Sequence, residues 1–321
     1  ASRMSPESTP IKPGGDPDFF ENCNGAPRFG TDPEGQIGTV PVTLERWQVP
    51  TVRDVRMVEL VRGATDLDMD AVSRIATDVR VPFAPDLVDA ARCGVAGLGV
   101  DPVTEWGDGG RLLQVLFEWG DAGYLATPDS EGTTIAAILE ALAPTLVYPD
   151  PGACLTRAQL DALAGAAFRD VIAPAMRMTY ASDFPDPLRV PWGHLDYVVI
   201  GGREVGLPGM SIGRLTTLMV TAFTAGTGTG RADPSTIAGT AYLQVTGFTE
   251  AGLDVRVLTP FGQISDAVHP SSPHIGQTID AYVAREPRSV WLAYPEVEAH
   301  LCPFADEPGH EHAARTTLLL P

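Results

Sequence analysis

The 321-residue chain carries 41 acidic side chains against 22 lysines and arginines, a formal net charge of −19, which argues against a nucleic-acid or anionic-membrane partner. Hydrophobic residues make up 44% of the chain, enough for a substantial core in one large or two ordinary domains. No apolar run approaches the roughly 18 residues that span a bilayer. The four cysteines are widely separated, which excludes a zinc ribbon.

Residues 1–50 are rich in proline and glycine, which predicts an irregular, extended segment. The exception is the apolar run at 18–24, which predicts one buried strand. Because a lone strand leaves its backbone donors and acceptors unpaired, we expect it to pair with strands supplied from elsewhere. The chain by itself is therefore predicted not to be a stable monomer.

Residues 51–187 have the hydrophobic spacing of helices and predict a helical lobe. Aspartates open the second of these helices, where they favour the positive end of its dipole, and Thr156 is an N-cap candidate for the last. The predicted helices are 52–62, 68–79, 85–93, 110–119, 131–142 and 156–172.

Residues 188–321 change to β-branched and aromatic runs bounded by glycine and proline, which predicts a β-rich part with C-terminal helices. Helices and strands are segregated along the chain, and this indicates an α+β fold rather than alternating βαβ units. The predicted strands are 197–200, 215–223, 240–248, 254–258 and 289–292, with helices at 276–285 and 295–302.

One motif matches the G-x-S-x-G elbow of serine hydrolases, namely Gly-Met-Ser-Ile-Gly at 209–213. The elbow needs a strand before Ser211 and a helix after it, because that sharp turn exposes the hydroxyl. Leu207-Pro208 precedes the motif here, so a simple turn is the favoured interpretation. A stand-alone serine esterase that uses Ser211 stays a weaker alternative.

Two other patterns could suggest ligands. The glycine run at 225–230 lacks the following helix that a phosphate loop requires, so a flexible loop is favoured. His310 and His312 are not at helical spacing, and together with His269 and His274 they favour solvated loops over a metal site. We therefore predict that the chemistry requires no cofactor.

The segment Asn22-Cys23-Asn24 contains two candidate catalytic side chains. Residues two apart on a strand point to the same side, so the two amides converge there. An asparagine NH₂ group donates hydrogen bonds without carrying charge, which suits stabilisation of an oxyanion in acyl transfer. The alternative is a turn-forming pair beside Gly25 and Pro27.

Five segments, in the same order along the chain, resemble the penicillin acylase family of N-terminal-nucleophile (Ntn) hydrolases. Phe20 to Pro27 is similar to its QNCN-x-x-P segment, and Trp119 with Asp-Ser-Glu-Gly-Thr at 129–133 is similar to its W…D-S-x-G-A/T segment. The remaining resemblances are Trp192-Gly193-His194 to WGD-x-H, Phe261–Ser265 with 272–274 to GQS…SPH, and 289–300 to the family's C-terminus.

The resemblance implies a four-layer αββα fold with a helical lobe, completed by other chains. Such enzymes are precursors that cut themselves into a small chain and a large chain, and the first residue of the large chain, usually Ser, is the nucleophile. This sequence resembles only the later part of a large chain. The implied partners are therefore companion chains of a processed or split acylase, one of which carries the N-terminal Ser.

By position, the resemblance implies that Asn24 supplies the oxyanion-hole amide and that Arg53 orients it. The segment between them is longer than in penicillin G acylases, so Arg46 and Arg56 stay alternatives for the second role. Structural calcium is expected mostly on other chains, and the alignment around Asp32 is too loose to assign that residue as a ligand.

The implied function is hydrolysis of a linear, non-peptide acyl amide by a secreted or periplasmic heteromer. The Asn-Cys-Asn form resembles the branch that acts on acyl-homoserine lactones, lipopeptides and penicillin V, which favours a medium or long acyl group. A catalytically silent binding or structural relative is the alternative. For an exported chain, Cys93 and Cys154, each at a predicted helix end, form a candidate disulfide, with Cys23 buried and reduced.

Overall fold

The computed structural model describes residues 51–62, 64–142, 150, 152–200, 202–222, 238–250, 252–260 and 273–290. Within these ranges the chain is α+β, and the first nine helices precede the first strand. The helices are α1 (Val52–Arg62), α2 (Met69–Ala76), α3 (Ala84–Leu98), α4 (Pro102–Trp106), α5 (Asp108–Asp121), α6 (Glu131–Leu142), α7 (Arg157–Leu160), a π-helical segment (Asp161–Ile172), α8 (Ala173–Tyr180), α9 (Trp192–Leu195) and α10 (Pro273–Ala284).

The helical lobe is built around α5. This helix packs against α3, α4, α6 and the π-helical segment, and its inward residues Leu112, Leu113 and Leu116 are almost completely buried. Burying a leucine contributes about 1.5–3 kcal/mol, so this three-residue face anchors the lobe. In the described part of the chain no helix is long and apolar enough to cross a bilayer.

The helix predicted at 156–172 is longer than expected and continues to Tyr180. Its start is confirmed, because the hydroxyl of Thr156 caps the helix in a reciprocal capping box with Gln159. Its middle is π-helical, and the N–H of Ala173 donates to the carbonyl of Phe168, five residues earlier. Pro174 lacks an N–H and its ring crowds the preceding turn, which accounts for a widened turn at this point.

The helix predicted at 68–79 ends earlier, at Ala76. Its start is confirmed by Asp68, whose carboxylate accepts from the N–H of Ala71. The following residues leave the helix because they pair with the chain at 124–126: the N–H of Val81 donates to Tyr124 O and the N–H of Ala126 to Val79 O, both at 2.9 Å. Long-range pairing therefore outweighs the local helical period.

The described strands form three small antiparallel sheets, ordered β1–β2, β3–β4 and β5–β6–β7. In the longest hairpin, Leu243 pairs with Leu258 and Thr249 with Gly252. The strands are β1 (Tyr197–Ile200), β2 (Arg203–Gly206), β3 (Thr221–Ala222), β4 (Ala238–Gly239), β5 (Leu243–Thr249), β6 (Gly252–Leu258) and β7 (Arg288–Ser289).

The strand predicted at 215–223 is wrong over its first half. Residues Gly213–Leu215 form a 3₁₀ turn, and the described strand is only Thr221–Ala222. The reason is Thr217, whose fully buried hydroxyl bonds the backbone of Met210 and Met219 and so replaces a strand ladder with a compact turn.

The sheets β1–β2 and β5–β6–β7 share a second apolar core with α10. It is formed by Val79, Val198, Ile200, Val205, Leu207, Met219, Leu258, Ile279, Ala281 and Tyr282. The predictions for 18–24, 225–230, 295–302 and Cys23 lie outside the described residues.

The predicted disulfide between Cys93 and Cys154 is confirmed. It links α3 to the segment before α7, where the N–H of Leu155 also donates to Ala90 O at 2.9 Å. Helix and loop approach so closely that a Cβ at Gly94 would lie 2.3 Å from the backbone oxygen of Leu155. The disulfide therefore lies at a tightly packed contact between α3 and the segment before α7.

Candidate active site

Of the two residues assigned to catalysis from the sequence, the structure describes Arg53. Asn24 lies outside the described residues, as do Asn22, Arg46 and Asp32. The described part of the candidate site is therefore Arg53 and its surroundings.

Arg53 lies in the first turn of α1, and that turn is fixed by its own sequence. Thr51 and Asp54 form a reciprocal cap: the Thr51 N–H donates to the Asp54 carboxylate at 2.7 Å, and the Asp54 N–H donates to the Thr51 hydroxyl at 3.2 Å. Asp54 is buried, and its negative charge favours the N-terminus of the helix. The T-x-x-D spacing thus sets the direction in which Arg53 leaves the helix.

The guanidinium of Arg53 reaches across the molecule to the segment before β3. Its Nη2 donates to the backbone oxygen of Leu218 at 3.2 Å. Arg53 is half-buried, so part of its surface faces outward while one edge is held by the main chain. This places the guanidinium of Arg53 at the junction of α1 and the β-rich part.

Arg56, the sequence alternative for the role of Arg53, is engaged elsewhere. It is buried, and its Nε donates to the Asp78 carboxylate at 2.8 Å while its Nη1 donates to Glu59 at 3.0 Å. Burial lowers the pKa of Arg56, but the hydrogen bonds and charges of both carboxylates outweigh it and raise the pKa. Arg56 therefore docks α1 onto the chain that follows α2.

The acceptor of Arg53, the backbone oxygen of Leu218, belongs to the segment at 209–219. The Thr217 hydroxyl accepts from the Met210 N–H at 3.0 Å and donates to Met219 O at 2.5 Å. Gly209 has φ of +90°, and a Cβ there would lie 2.2 Å from Met219 O, so both its conformation and the close approach require glycine.

The same geometry removes the structural basis of the esterase alternative. Residues 207–211 are not a strand, and only the three-residue 3₁₀ turn follows Ser211. The strand, sharp turn and helix of a nucleophile elbow are thus missing around Ser211. The motif is instead an irregular segment that leads into the 3₁₀ turn at Gly213–Leu215.

Two of the segments that carry the family resemblance meet in the helical lobe. The Trp119 indole and the Thr133 hydroxyl both donate to the backbone oxygen of Leu125, at 2.9 and 3.2 Å. The backbone oxygen of Ser130 accepts from the N–H of Trp192 at 3.0 Å. A Cβ at Gly132 would lie 2.3 Å from Trp119 Cβ, so only glycine fits. These motif residues fix packing between α5, α6 and α9.

An open cleft of about 230 Å³ lies beside this junction. Its acidic rim is bridged by Arg189, which contacts Glu118 at 2.9 Å and Glu131 at 2.7 Å. Among the described residues, no group of three or more His, Cys, Asp or Glu side chains could hold a metal ion. The remaining lining residues are Val115, Trp119, Ala122, Leu125, Thr127, Asp129, Ser130 and Gly132.

The glycine run at 225–230, His269, His310 and His312 lie outside the described residues, and the His274 side chain is not described.

Sequence reasoning missed Leu218 and Thr217. Leu218 contributes a backbone oxygen, which leaves no trace in residue type. A buried threonine resembles any strand residue, so neither position carried a signal. The capping spacing of Thr51 and Asp54 was readable, and it points to the start of α1.

A family model described as Penicillin amidase matches residues 5–299 of the chain. The matched range includes Asn24 and Arg53. A comparison with curated proteins gives no match.

Proposed function

Because the chain belongs to the penicillin amidase family of Ntn-type amide hydrolases, we propose that it is one subunit of an acylase that cleaves a linear, non-peptide acyl amide. The observation that carries the proposal is the family match over 295 of 321 residues, from 5 to 299. It gains support from Arg53, which lies in a capped helical turn and whose guanidinium reaches the segment before β3.

In the proposed reaction the nucleophile is an N-terminal serine on a companion chain. Its hydroxyl oxygen attacks the amide carbonyl carbon, and its own α-amino group takes the proton. The side-chain amide of Asn24 and a backbone N–H stabilise the tetrahedral oxyanion. Collapse transfers the proton to the leaving amine and leaves an ester, which water then cleaves to the acid.

Arg53 is the proposed positioning residue for Asn24 and the nucleophile's amine. Arg56 is less suited, since two carboxylates already hold its guanidinium inside the chain. A guanidinium is always charged and offers five donors, which suits a residue that bonds both Leu218 and a second partner.

We assign the chain to a four-layer αββα sandwich that companion chains complete. Support comes from the β5–β6 hairpin, where Phe248 and Leu253 pair across the strands yet are 87% and 53% exposed. Apolar side chains with that exposure on adjacent strands favour a further protein surface over them.

The proposed location is secreted or periplasmic. The disulfide between Cys93 and Cys154 supports it, because disulfides persist in oxidising compartments and are rare in the cytosol. The proposed chemistry draws on no metal, and structural calcium is proposed mostly on the companion chains.

The test is to purify the assembly and measure intact masses and hydrolysis of 4-nitroanilides with increasing acyl length. We expect a co-purified chain that begins with Ser, Thr or Cys, and hydrolysis that favours medium or long acyl groups. A folded assembly with no such chain and no hydrolysis would instead identify a catalytically silent binding or structural relative.

A further inference from the structure

The placement of Arg53 depends on the course of the main chain around Leu218. The acceptor is a backbone oxygen, at 3.2 Å from Arg53 Nη2, and the Leu218 residue is 5% exposed. A backbone oxygen moves only when its peptide moves. Whatever fixes the peptides on either side of Leu218 therefore also fixes one edge of the guanidinium.

Thr217 anchors the main chain on both sides of those peptides. Thr217 is 0% exposed. Its hydroxyl links two backbone segments, because it accepts from the N–H of Met210 and donates to the backbone oxygen of Met219. Its own N–H donates to Met210 O at 3.0 Å. Thr217 and Met219, the residues before and after Leu218, are thus held together through one hydroxyl group.

The peptide that carries the Leu218 oxygen is also held through its own N–H, which is that of Met219. The N–H of Met219 donates to the backbone oxygen of Asp78 at 3.0 Å, and the Asp78 carboxylate binds Arg56. Helix α1 is consequently docked at two places, through Arg53 to Leu218 and through Arg56 to Asp78.

We propose that Thr217 is a positioning residue of the acylase reaction, acting through the Leu218 carbonyl on Arg53. The inference rests on the proposed function, in which Arg53 acts at the active site. Removal of the hydroxyl leaves the Met210 N–H and the Met219 oxygen without that partner inside the protein, and the segment relaxes. A displacement of about 1 Å at a catalytic group can cost on the order of 10²-fold in rate.

A double-mutant cycle in the complete acylase tests this. Thr217→Val should lower kcat by roughly 10- to 100-fold with a smaller change in KM, and Thr217→Ser should restore most of it. In an Arg53→Met background, Thr217→Val should lower kcat by less than about threefold further, because its effect is transmitted through Arg53. Additive losses in the two backgrounds would overturn the proposal.

Thr133→Val is the matched control. Thr133 is equally buried, and its hydroxyl also bonds a backbone oxygen, that of Leu125. Its removal should lower stability by a similar amount without coupling to Arg53. If Thr133→Val lowers kcat as Thr217→Val does and couples to Arg53 equally, the effect is general destabilisation and the proposal fails.

Hydrogen exchange of the peptide at 51–62 separates this inference from the proposed function. If the assembly hydrolyses no amide, the proposed function fails, yet the mechanical link can still be measured. Thr217→Val and Arg53→Met should each speed exchange in α1, and the double variant should add nothing further. Unchanged exchange in α1 upon Thr217→Val would overturn the link itself.

Discussion

The indole N–H of Trp192 donates a hydrogen bond to the backbone oxygen of Gly209 at 2.9 Å, and both groups are buried. The bond joins α9 to the turn that Thr217 closes. Gly209 is further held by its own N–H, which donates to Ala126 O at 2.7 Å. A single tryptophan therefore links the helical lobe to the segment that carries the Leu218 acceptor.

Trp192→Phe should destabilise the protein by about 1–3 kcal/mol, because it leaves the buried Gly209 oxygen without its donor. Thermal melting of the assembly measures this as a fall in Tm. Tyr242→Phe is the control: it also removes one donor from an aromatic side chain, but Tyr242 is 59% exposed, so Tm should hardly change. Equal Tm values for Trp192→Phe and the parent would contradict the assigned role.

The disulfide should contribute about 4 kcal/mol, the loop-closure estimate for its sequence separation of 61 residues. The measurement is the free energy of unfolding of the Cys93→Ser/Cys154→Ser variant against the parent. A reducing agent should destabilise the parent and leave the double variant unchanged. If non-reducing peptide mapping finds both thiols free, the pairing is wrong.

Sequence reasoning succeeded where local chemistry decides structure. The N-cap at Thr156, the acidic start of α2 at Asp68 and the strand at Tyr197–Ile200 were all predicted, since each depends on residues close in sequence. The α+β class follows from the same local periods.

Sequence reasoning failed where contacts between residues distant in sequence determine the structure. The end of α2 is set by chain pairing with 124–126, and the turn at Thr217 is set by bonds to Met210 and Met219. Both stretches have the apolar, β-branched composition of regular elements. Local composition therefore predicted a longer helix and a longer strand than the pairing allows.

Acid should weaken the helical lobe through Asp108. The hydrogen bond from Arg177 is the main cause that lowers the pKa of this carboxyl, and burial opposes it. A lowered folded-state pKa means that the contribution is complete above the unfolded value of about 3.9 and is lost as the pH falls through the folded value.

We therefore expect the stability lost on Asp108→Asn to be largest above about pH 5 and to shrink below pH 4. Urea unfolding at several pH values measures it. Asp129→Asn, at an exposed position, is the control and should shift stability little at any pH. A loss for Asp108→Asn that does not change with pH would contradict this assignment.

The final prediction concerns Asn24. If its side-chain amide stabilises the oxyanion, it must lie about 3 Å from the oxygen that gains charge, and that charge develops only in the transition state. Asn24→Ala should then lower kcat by roughly 10²–10³, while KM changes little. Steady-state kinetics of the complete assembly, checked for folding by its melting curve, measure both constants. Asn22→Ala is the control: we expect its amide to brace the strand, so Tm should fall while kcat stays within a small factor of the parent. Unchanged kcat for a folded Asn24→Ala assembly would remove the residue-level support for the acylase mechanism.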